Sequence, residues 1–301
     1  MAALFEILAT SPELAVRQLA AVELRKKLAK SGKVWAKQPA EIREGIKARL
    51  LEQITREESN LIRNGMARVI AEIARKELPH HSWPALLPWL FEHGEGGNAL
   101  HRQTAVFVLY IVLETFVDSE TLKEYLPRIM SLFAKGLQDP ESLEVRITTV
   151  RALGKVAENL EADGHGDLAA MQSAVPQMVA VLQQCLDASH TEGARQIFDV
   201  FENLCMLEAP VLSVHLAELI AFFVRNAANR DHEEDLRLMC LNSLVWTIQY
   251  KRSRVQSLGL ARPLLGQLMP IATEEESDDV EEDTPARLSL IPISEPTRPR
   301  L

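Results

Sequence analysis

The sequence predicts an all-α fold in which helix pairs stack into a right-handed superhelical solenoid, and three observations predict it. The composition is 47% hydrophobic but only 5% aromatic over 301 residues, a mixture that fills seams between helices better than the faces of sheets. A short phrase recurs six times: an aliphatic or small residue, then Arg, then small and branched apolar residues at helical spacing. Each copy is followed by a second helical stretch, often with Pro near its first turn, where the missing N–H costs nothing.

The copies begin Val16-Arg17-Gln18-Leu19, Ile62-Arg63-Asn64-Gly65, His101-Arg102-Gln103-Thr104, Val145-Arg146-Ile147-Thr148, Ala194-Arg195-Gln196-Ile197 and Leu236-Arg237-Leu238-Met239. Their arginines are 46, 39, 44, 49 and 42 residues apart, which brackets the ~40–47 residues of HEAT and armadillo units. The fold class is therefore a HEAT-repeat, armadillo-type array. The second halves are clearest at Trp83-Pro84-Ala85-Leu86-Leu87, Tyr125-Leu126-Pro127-Arg128-Ile129 and Val175-Pro176-Gln177-Met178-Val179.

Breakers at Ser11-Pro12, Ser31-Gly32, 94–97, Asp139-Pro140, 164–166 and Ala209-Pro210 divide the chain. Pairing each Arg-bearing helix with the one after it gives units at 12–55, 58–96, 98–137, 141–187, 190–228 and 231–272. Leu4-Phe5-Glu6-Ile7-Leu8 is then expected to be the second helix of a unit whose first helix is absent. One pair cannot bury both of its apolar stripes, so stacking on neighbours stabilises the array. The expected organisation is a repeat array over 1–272, an acidic flexible loop over 273–287 and an atypical proline-spaced tail over 288–301, read as truncated or non-native.

The formal charge is −9, and eight acidic residues without a Lys or Arg lie within 274–283, so the body carries about −1. Glu274, Glu275, Glu276, Asp278, Asp279, Glu281, Glu282 and Asp283 are candidate contacts for a basic partner, against the alternative of a solvated loop. Cys185, Cys205 and Cys240 are scattered among apolar neighbours without CxxC spacing, which suits reduced core thiols. No apolar run reaches the ~18 residues of a membrane span, and the start lacks the basic region of a secretion signal.

The recurring arginines, Arg17, Arg63, Arg102, Arg146, Arg195 and Arg237, are expected to form a structural ladder that hydrogen-bonds loop carbonyls and carboxylates of adjacent units. Trp83, Trp89, Phe91, Trp246 and Tyr250 are expected in the core, and any that is exposed becomes a candidate for aromatic recognition. His80, His81, His93 and His101 straddle loops without metal-ligand spacing. The glycines at 94–97 lack a GK[ST] sequel, and no nucleophile elbow is present. The expectation is a binding protein, not an enzyme, without cofactor or metal. The absence of net basicity argues against direct nucleic-acid binding.

Ala3-Leu4-Phe5-Glu6-Ile7-Leu8 followed by Val16-Arg17-Gln18-Leu19-Ala20-Ala21-Val22-Glu23-Leu24-Arg25-Lys26 and Trp35 resembles the N-terminal domain of the importin-β (karyopherin-β) family. Asn64-Gly65-Met66-Ala67-Arg68-Val69, Trp83-Pro84-Ala85-Leu86-Leu87-Pro88, Arg102-Gln103-Thr104-Ala105-Val106 and Asp139-Pro140-Glu141-Ser142-Leu143-Glu144-Val145-Arg146 resemble its fungal importin subunit beta-4 class, over about 2–286. The resemblance implies a nuclear import receptor, shuttling between cytoplasm and nucleus and associated with the nuclear pore. It implies three partners: Ran-GTP, basic cargo such as ribosomal proteins and histones, and FG-repeat nucleoporins. It also implies Ran binding by the second helices on a concave face, with Arg43, Glu44 and Lys47 as candidate Ran-facing residues, and FG grooves on the Arg-bearing helices of a convex face. The alternative is a HEAT-repeat scaffold without a GTPase partner.

Overall fold

The computed structural model describes residues 1–30, 32–115, 120–158 and 165–274, and these contain helices and turns without a strand. Six antiparallel hairpins carry the fold. They are α1 (Ala2–Thr10) with α2 (Leu14–Lys30), α4 (Ala40–Arg56) with α5 (Asn60–Glu77), and α6 (Leu86–Gly94) with α7 (Ala99–Thr115). The others are α8 (Glu120–Gly136) with α9 (Leu143–Glu158), α10 (His165–Asp187) with α11 (Thr191–Met206), and α12 (Leu216–Ala228) with α13 (Glu234–Tyr250). Short α3 (Gly32–Ala36) and α14 (Arg252–Ser257) lie in connectors, and α15 (Ala261–Ala272) packs on α12.

The pairing differs from the one read in sequence. Each Arg-bearing helix packs against the helix before it, and α1 is the first helix of a hairpin with α2. The reason lies in the turns. Three-residue turns at 11–13, 57–59 and 188–190 lead into Arg-bearing helices, whereas longer connectors such as 78–85 and 207–215 lead out of them. A short turn forces antiparallel contact; a long connector carries the chain to the next hairpin.

The six Arg-bearing helices, α2, α5, α7, α9, α11 and α13, pack on one another in succession, while consecutive helices of the other layer meet at few points. A two-layer stack bends toward its more closely spaced layer, so the Arg-bearing helices line the concave wall. This inverts the expectation that they form the convex face. Close approach is built into the sequence: Ala20, Ala21, Ala67, Ala71, Ala74, Ala105, Ala152 and Ala157 are buried. A Cβ on Gly65 would stand 2.9 Å from the Cβ of Ala21, and one on Gly154 would stand 3.0 Å from Val200 Cγ1.

Between the layers runs one continuous apolar core, from Phe5 and Leu8 through Ile70, Leu109, Phe133, Leu153, Phe201 and Phe223 to Leu264. Pro127 and Pro176 lie inside α8 and α10, whose helices begin earlier than the prolines suggest. In such positions Pro removes a backbone bond and bends the helix. Trp83 and Phe91 are core residues, and Cys185, Cys205 and Cys240 are free and buried. Burial pushes the thiols of Cys185 and Cys240 up to about 12. No described helix is long and apolar enough to cross a membrane.

Candidate partner-binding surfaces

The arginine ladder fixes the wall on which a partner would bind. Arg17 Nε donates to the Leu8 carbonyl (2.8 Å), Arg102 to that of Gly96 (3.1 Å), and Arg237 Nε to that of Ala227 (2.7 Å). Arg63 donates to the Glu57 and Glu58 carbonyls (2.5 and 3.2 Å), and Arg146 to that of Asp139 (2.7 Å). Each of these arginines satisfies carbonyls left open at the end of its partner helix or in the turn between the two. Three of them also reach forward to the next hairpin. Arg17 pairs with Glu57, Arg102 with Asp139 (2.6 Å) and Glu141 (3.0 Å), and Arg237 with Glu274 (2.5 Å).

Asp139 is buried, which alone would raise its carboxyl. Hydrogen bonds from Arg102 and from the Ser142 and Glu141 amides outweigh burial and hold it below its ordinary value. Desolvation lowers Arg63 below the usual guanidinium range. Arg195 departs from the pattern: its side chain is exposed and has no hydrogen-bond partner among the described residues. The turn before α11 is closed by Ser189 at φ 50° and by His190, whose Nδ1 accepts from the Gly193 amide (2.9 Å). At this turn the carbonyls that an arginine meets elsewhere are met by backbone amides, Ser189 N–H donating to Leu186 (3.1 Å) and His190 N–H to Cys185 (2.8 Å).

Glu274 belongs to the ladder as well. It stands 37 residues after Arg237, the same offset as Asp139 from Arg102, and also lies 3.6 Å from Arg230. The hydrogen bond from Arg237 lowers its carboxyl. It is thus engaged within the chain, unlike the free contact expected for a basic partner. Glu275, Glu276, Asp278, Asp279, Glu281, Glu282 and Asp283 lie outside the described residues.

Arg43, Glu44 and Lys47 do not meet the expectation of a partner-facing concave surface, because α4 lies in the outer layer. Lys47 is 1% exposed. Its Nζ donates to the Ser82 carbonyl (2.7 Å) and lies 3.4 Å from Glu77, while Trp35 Nε1 (2.5 Å) and Arg43 (3.2 Å) donate to the same carboxylate. This buried cluster ties α3 and α4 to α5. Glu44, on the same outer-layer helix, is exposed and pairs with Lys47 Nζ (2.6 Å). Nothing in the sequence marks Lys47 as buried: its pairing with Glu44 is that of any surface helix, and the buried Glu77 carboxylate lies thirty residues away on another helix.

On the concave wall, two adjoining grooves run across α5, α7, α9 and α11. One, of about 220 Å³, is lined by Asn60, Arg63, Asn64, Gln103, Phe107, Thr148 and Arg151 among others. The second, of about 170 Å³, shares Arg151 and Gln196 with it and continues past Tyr110, Lys155, Asp199 and Asn203. Arg151 lies over the Tyr110 ring (4.4 Å) and donates to its hydroxyl (3.2 Å), which braces the guanidinium between α7 and α9. Lys155 pairs with Glu158 (2.7 Å). The wall is polar, mixed in charge and open, suited to holding a protein surface. Among the described residues no group of His, Cys, Asp or Glu is arranged to hold a metal ion.

Beyond the grooves, Trp246 and Tyr250 on α13 stack with centroids 5.2 Å apart and planes 8° apart, and Tyr250 is 44% exposed. This pair departs from the expected core placement. Trp89 is half-buried and stacks on His93 at 4.4 Å.

Comparison with known proteins adds to this geometry. Residues 1–65 match the model of the importin-beta N-terminal domain, and residues 58–222 match that of IPO5-like TPR repeats. The chain is 34% identical over 288 residues to the probable importin subunit beta-4 of Schizosaccharomyces pombe, covering 95% of this chain and 26% of that protein. It is 24% identical over 273 residues to importin-4 of Mus musculus, covering 91% and 24%. The chain therefore spans about a quarter of the length of the curated relatives it matches. In fold it is similar to the crystal structure of Kap121p bound to RanGTP, with TM-score 0.71, 23% identity, and coverage of 89% of this chain and 24% of that one. It is likewise similar to the Kap121p complex with the extreme C-terminus of the phosphatase Cdc14p, with TM-score 0.73, 24% identity, and coverage of 92% and 26%.

Proposed function

We propose that this chain, which belongs to the importin-β family, works as part of a nuclear transport receptor whose concave wall engages the GTP form of Ran. The observation that carries the proposal is the polar groove across α5, α7, α9 and α11, beside a ladder in which Arg102 and Arg146 are bound to the carbonyls of Gly96 and Asp139. The complex of Kap121p with RanGTP supports the choice of partner, since that protein shares the fold. Basic cargo, such as ribosomal proteins and histones, is the cargo class proposed. Its contact is the acidic run from Glu275 to Asp283, with Glu274 left to the ladder. FG-repeat nucleoporins are the third proposed partner, and movement between cytoplasm and nucleus the resulting itinerary.

Ran and cargo oppose each other if they prefer different curvatures of the wall or overlapping parts of it. The test is retention of Ran on the immobilised chain, loaded with GTP or with GDP. Retention of the GTP form alone is the expected result. Equal retention of both forms, or of neither, favours a static scaffold without a GTPase partner.

A further inference from the structure

Three residues hold the same place in successive hairpin turns, because each gives its carbonyl to the arginine that follows: Glu57 to Arg63, Gly96 to Arg102 and Asp139 to Arg146. At Glu57 and Asp139 the side chain turns back to the preceding arginine, Arg17 in one case and Arg102 in the other. Gly96 has no side chain to turn, and the arginine before it is Arg63. The neighbouring Glu95 is drawn off to Lys135 (2.9 Å). Arg63 therefore has no carboxylate in hydrogen-bonding contact among the described residues, although at 7% exposed it is the most buried of the six ladder arginines. Its Nη1 serves the Glu57 and Glu58 carbonyls and its Nη2 the Asn60 side chain, while Nε–H has no acceptor among the described residues. The edge that carries Nε and Nη2 is the one with which Arg102 grips Asp139.

We propose that this edge of Arg63 binds an oxyanion, a carboxylate or phosphate group, which completes the rung from outside the chain. A planar fork of N–H donors matches either group at two points. Arg63 lines the groove of about 220 Å³ together with Arg151, Asn60 and Gln103, so the fork is approached from there. Burial disfavours the Arg63 charge, and Glu57, the carboxylate that acts on it, is committed to Arg17 and to the Ser59 amide. The first turns of α5 and α7 both border the groove, and helix starts favour negative charge. Glu144, also on the groove, opposes an anion, but it is 51% exposed and lies beside His190 (3.4 Å).

The test follows the nitrogen–proton NMR signals of Arg63 Nε–H and of the backbone amides 60–64 in the whole chain, titrated at constant ionic strength. The probes are inorganic phosphate and N-acetylaspartate amide, with chloride as the reference. A saturable shift with a Kd of about 10 mM or below is expected for one probe or both. Saturation by phosphate alone makes a phosphate group the source, and saturation by N-acetylaspartate amide makes it a protein carboxylate. Gly96→Asp supplies the carboxylate internally; its Cβ would stand 3.2 Å from the Glu92 carbonyl oxygen, which a small shift of the turn relieves. That variant should bind the probe about 10-fold more weakly and raise hydrogen-exchange protection in the first turns of α5 and α7. Arg63→Lys keeps the charge and loses the fork, and should weaken binding by about as much.

No saturable shift up to about 50 mM of either probe, an equal shift with chloride, or undiminished binding by whichever of the two variants folds overturns the inference. None of these readouts contains Ran, so this inference and the Ran reading fail separately.

Discussion

Replacing Arg102 by Ala should detach one rung of the ladder and loosen α7 from α9. The side chain is 12% exposed and makes a two-point contact with an Asp139 carboxylate that is 2% exposed. Orphaning a buried charge costs about 3–5 kcal/mol. Asp139 keeps the Glu141 and Ser142 amides (3.0 and 2.8 Å), which places the loss near the lower figure, and the Glu141 contact adds little because that carboxylate is 61% exposed. A loss of about 3 kcal/mol corresponds to a roughly 100-fold fall in protection.

Global unfolding is the wrong assay, because repeat arrays open in parts. Native-state hydrogen exchange over 99–115 and 143–158 reads the loss directly. Arg195→Ala is the internal control, since that arginine is exposed and unpartnered among the described residues, and should change local protection by less than about 0.5 kcal/mol. Unchanged protection in the Arg102 variant, or an equal loss in the Arg195 variant, would refute the structural reading of the ladder.

Other outcomes follow from the same geometry. The Asp139 carboxyl is held below its ordinary value of 3.8, so its contribution is present above that pH and is lost as the pH falls through the depressed value; Arg102→Met should shrink this acid limb in a pH series of α7–α9 protection, leaving the part due to the Ser142 and Glu141 amides. Gly65→Ala should destabilise by about 1–2 kcal/mol because the new methyl meets Ala21 at 2.9 Å. By contrast, Gly45→Ala, with nothing within 4 Å, should stabilise by roughly 0.5–1 kcal/mol, both read from thermal unfolding. Cys185 and Cys240, with thiols pushed up to about 12, should resist iodoacetamide at neutral pH until denaturant exposes them; rapid labelling of the native chain would contradict their burial. Neutralising 275–283 should slow association with a basic protein most at low salt, while Glu274→Gln should loosen the contact of the α15 end with Arg237 and leave that rate unchanged.

The fold class was legible because a repeated Arg phrase at near-constant spacing is a one-dimensional signal that survives without any knowledge of contacts. Its phase was not. Breakers flank every helix without saying which neighbours pair, so a pairing read from them alone slips by one helix and carries the concave wall to the wrong layer. Two signals in the chain would have corrected it. Glu57 and Asp139 precede the next arginine by six or seven residues and follow the previous one by 37–40, which marks the turn they occupy as the one inside a hairpin. Glu274 shares the second offset, and so stands apart from the acidic run it opens. The groove residues are hidden in sequence for a different reason: Asn64, Gln103 and Gln196 each follow a ladder arginine and are indistinguishable there from the rest of the recurring phrase. Lys47 could not be found at all, because burial of a lysine depends on Glu77 and Ser82, which tertiary packing alone brings to it.

Exchange footprinting of the chain with Ran in its GTP form bears most directly on which wall grips a partner. Protection is predicted on the groove-facing turns of α5, α7, α9 and α11, around Asn64, Gln103, Arg151 and Asn203, and absent with the GDP form. A footprint on α4, α6 and α8 instead, or one indifferent to the nucleotide, would contradict the assignment of the arginine-bearing helices as the binding wall.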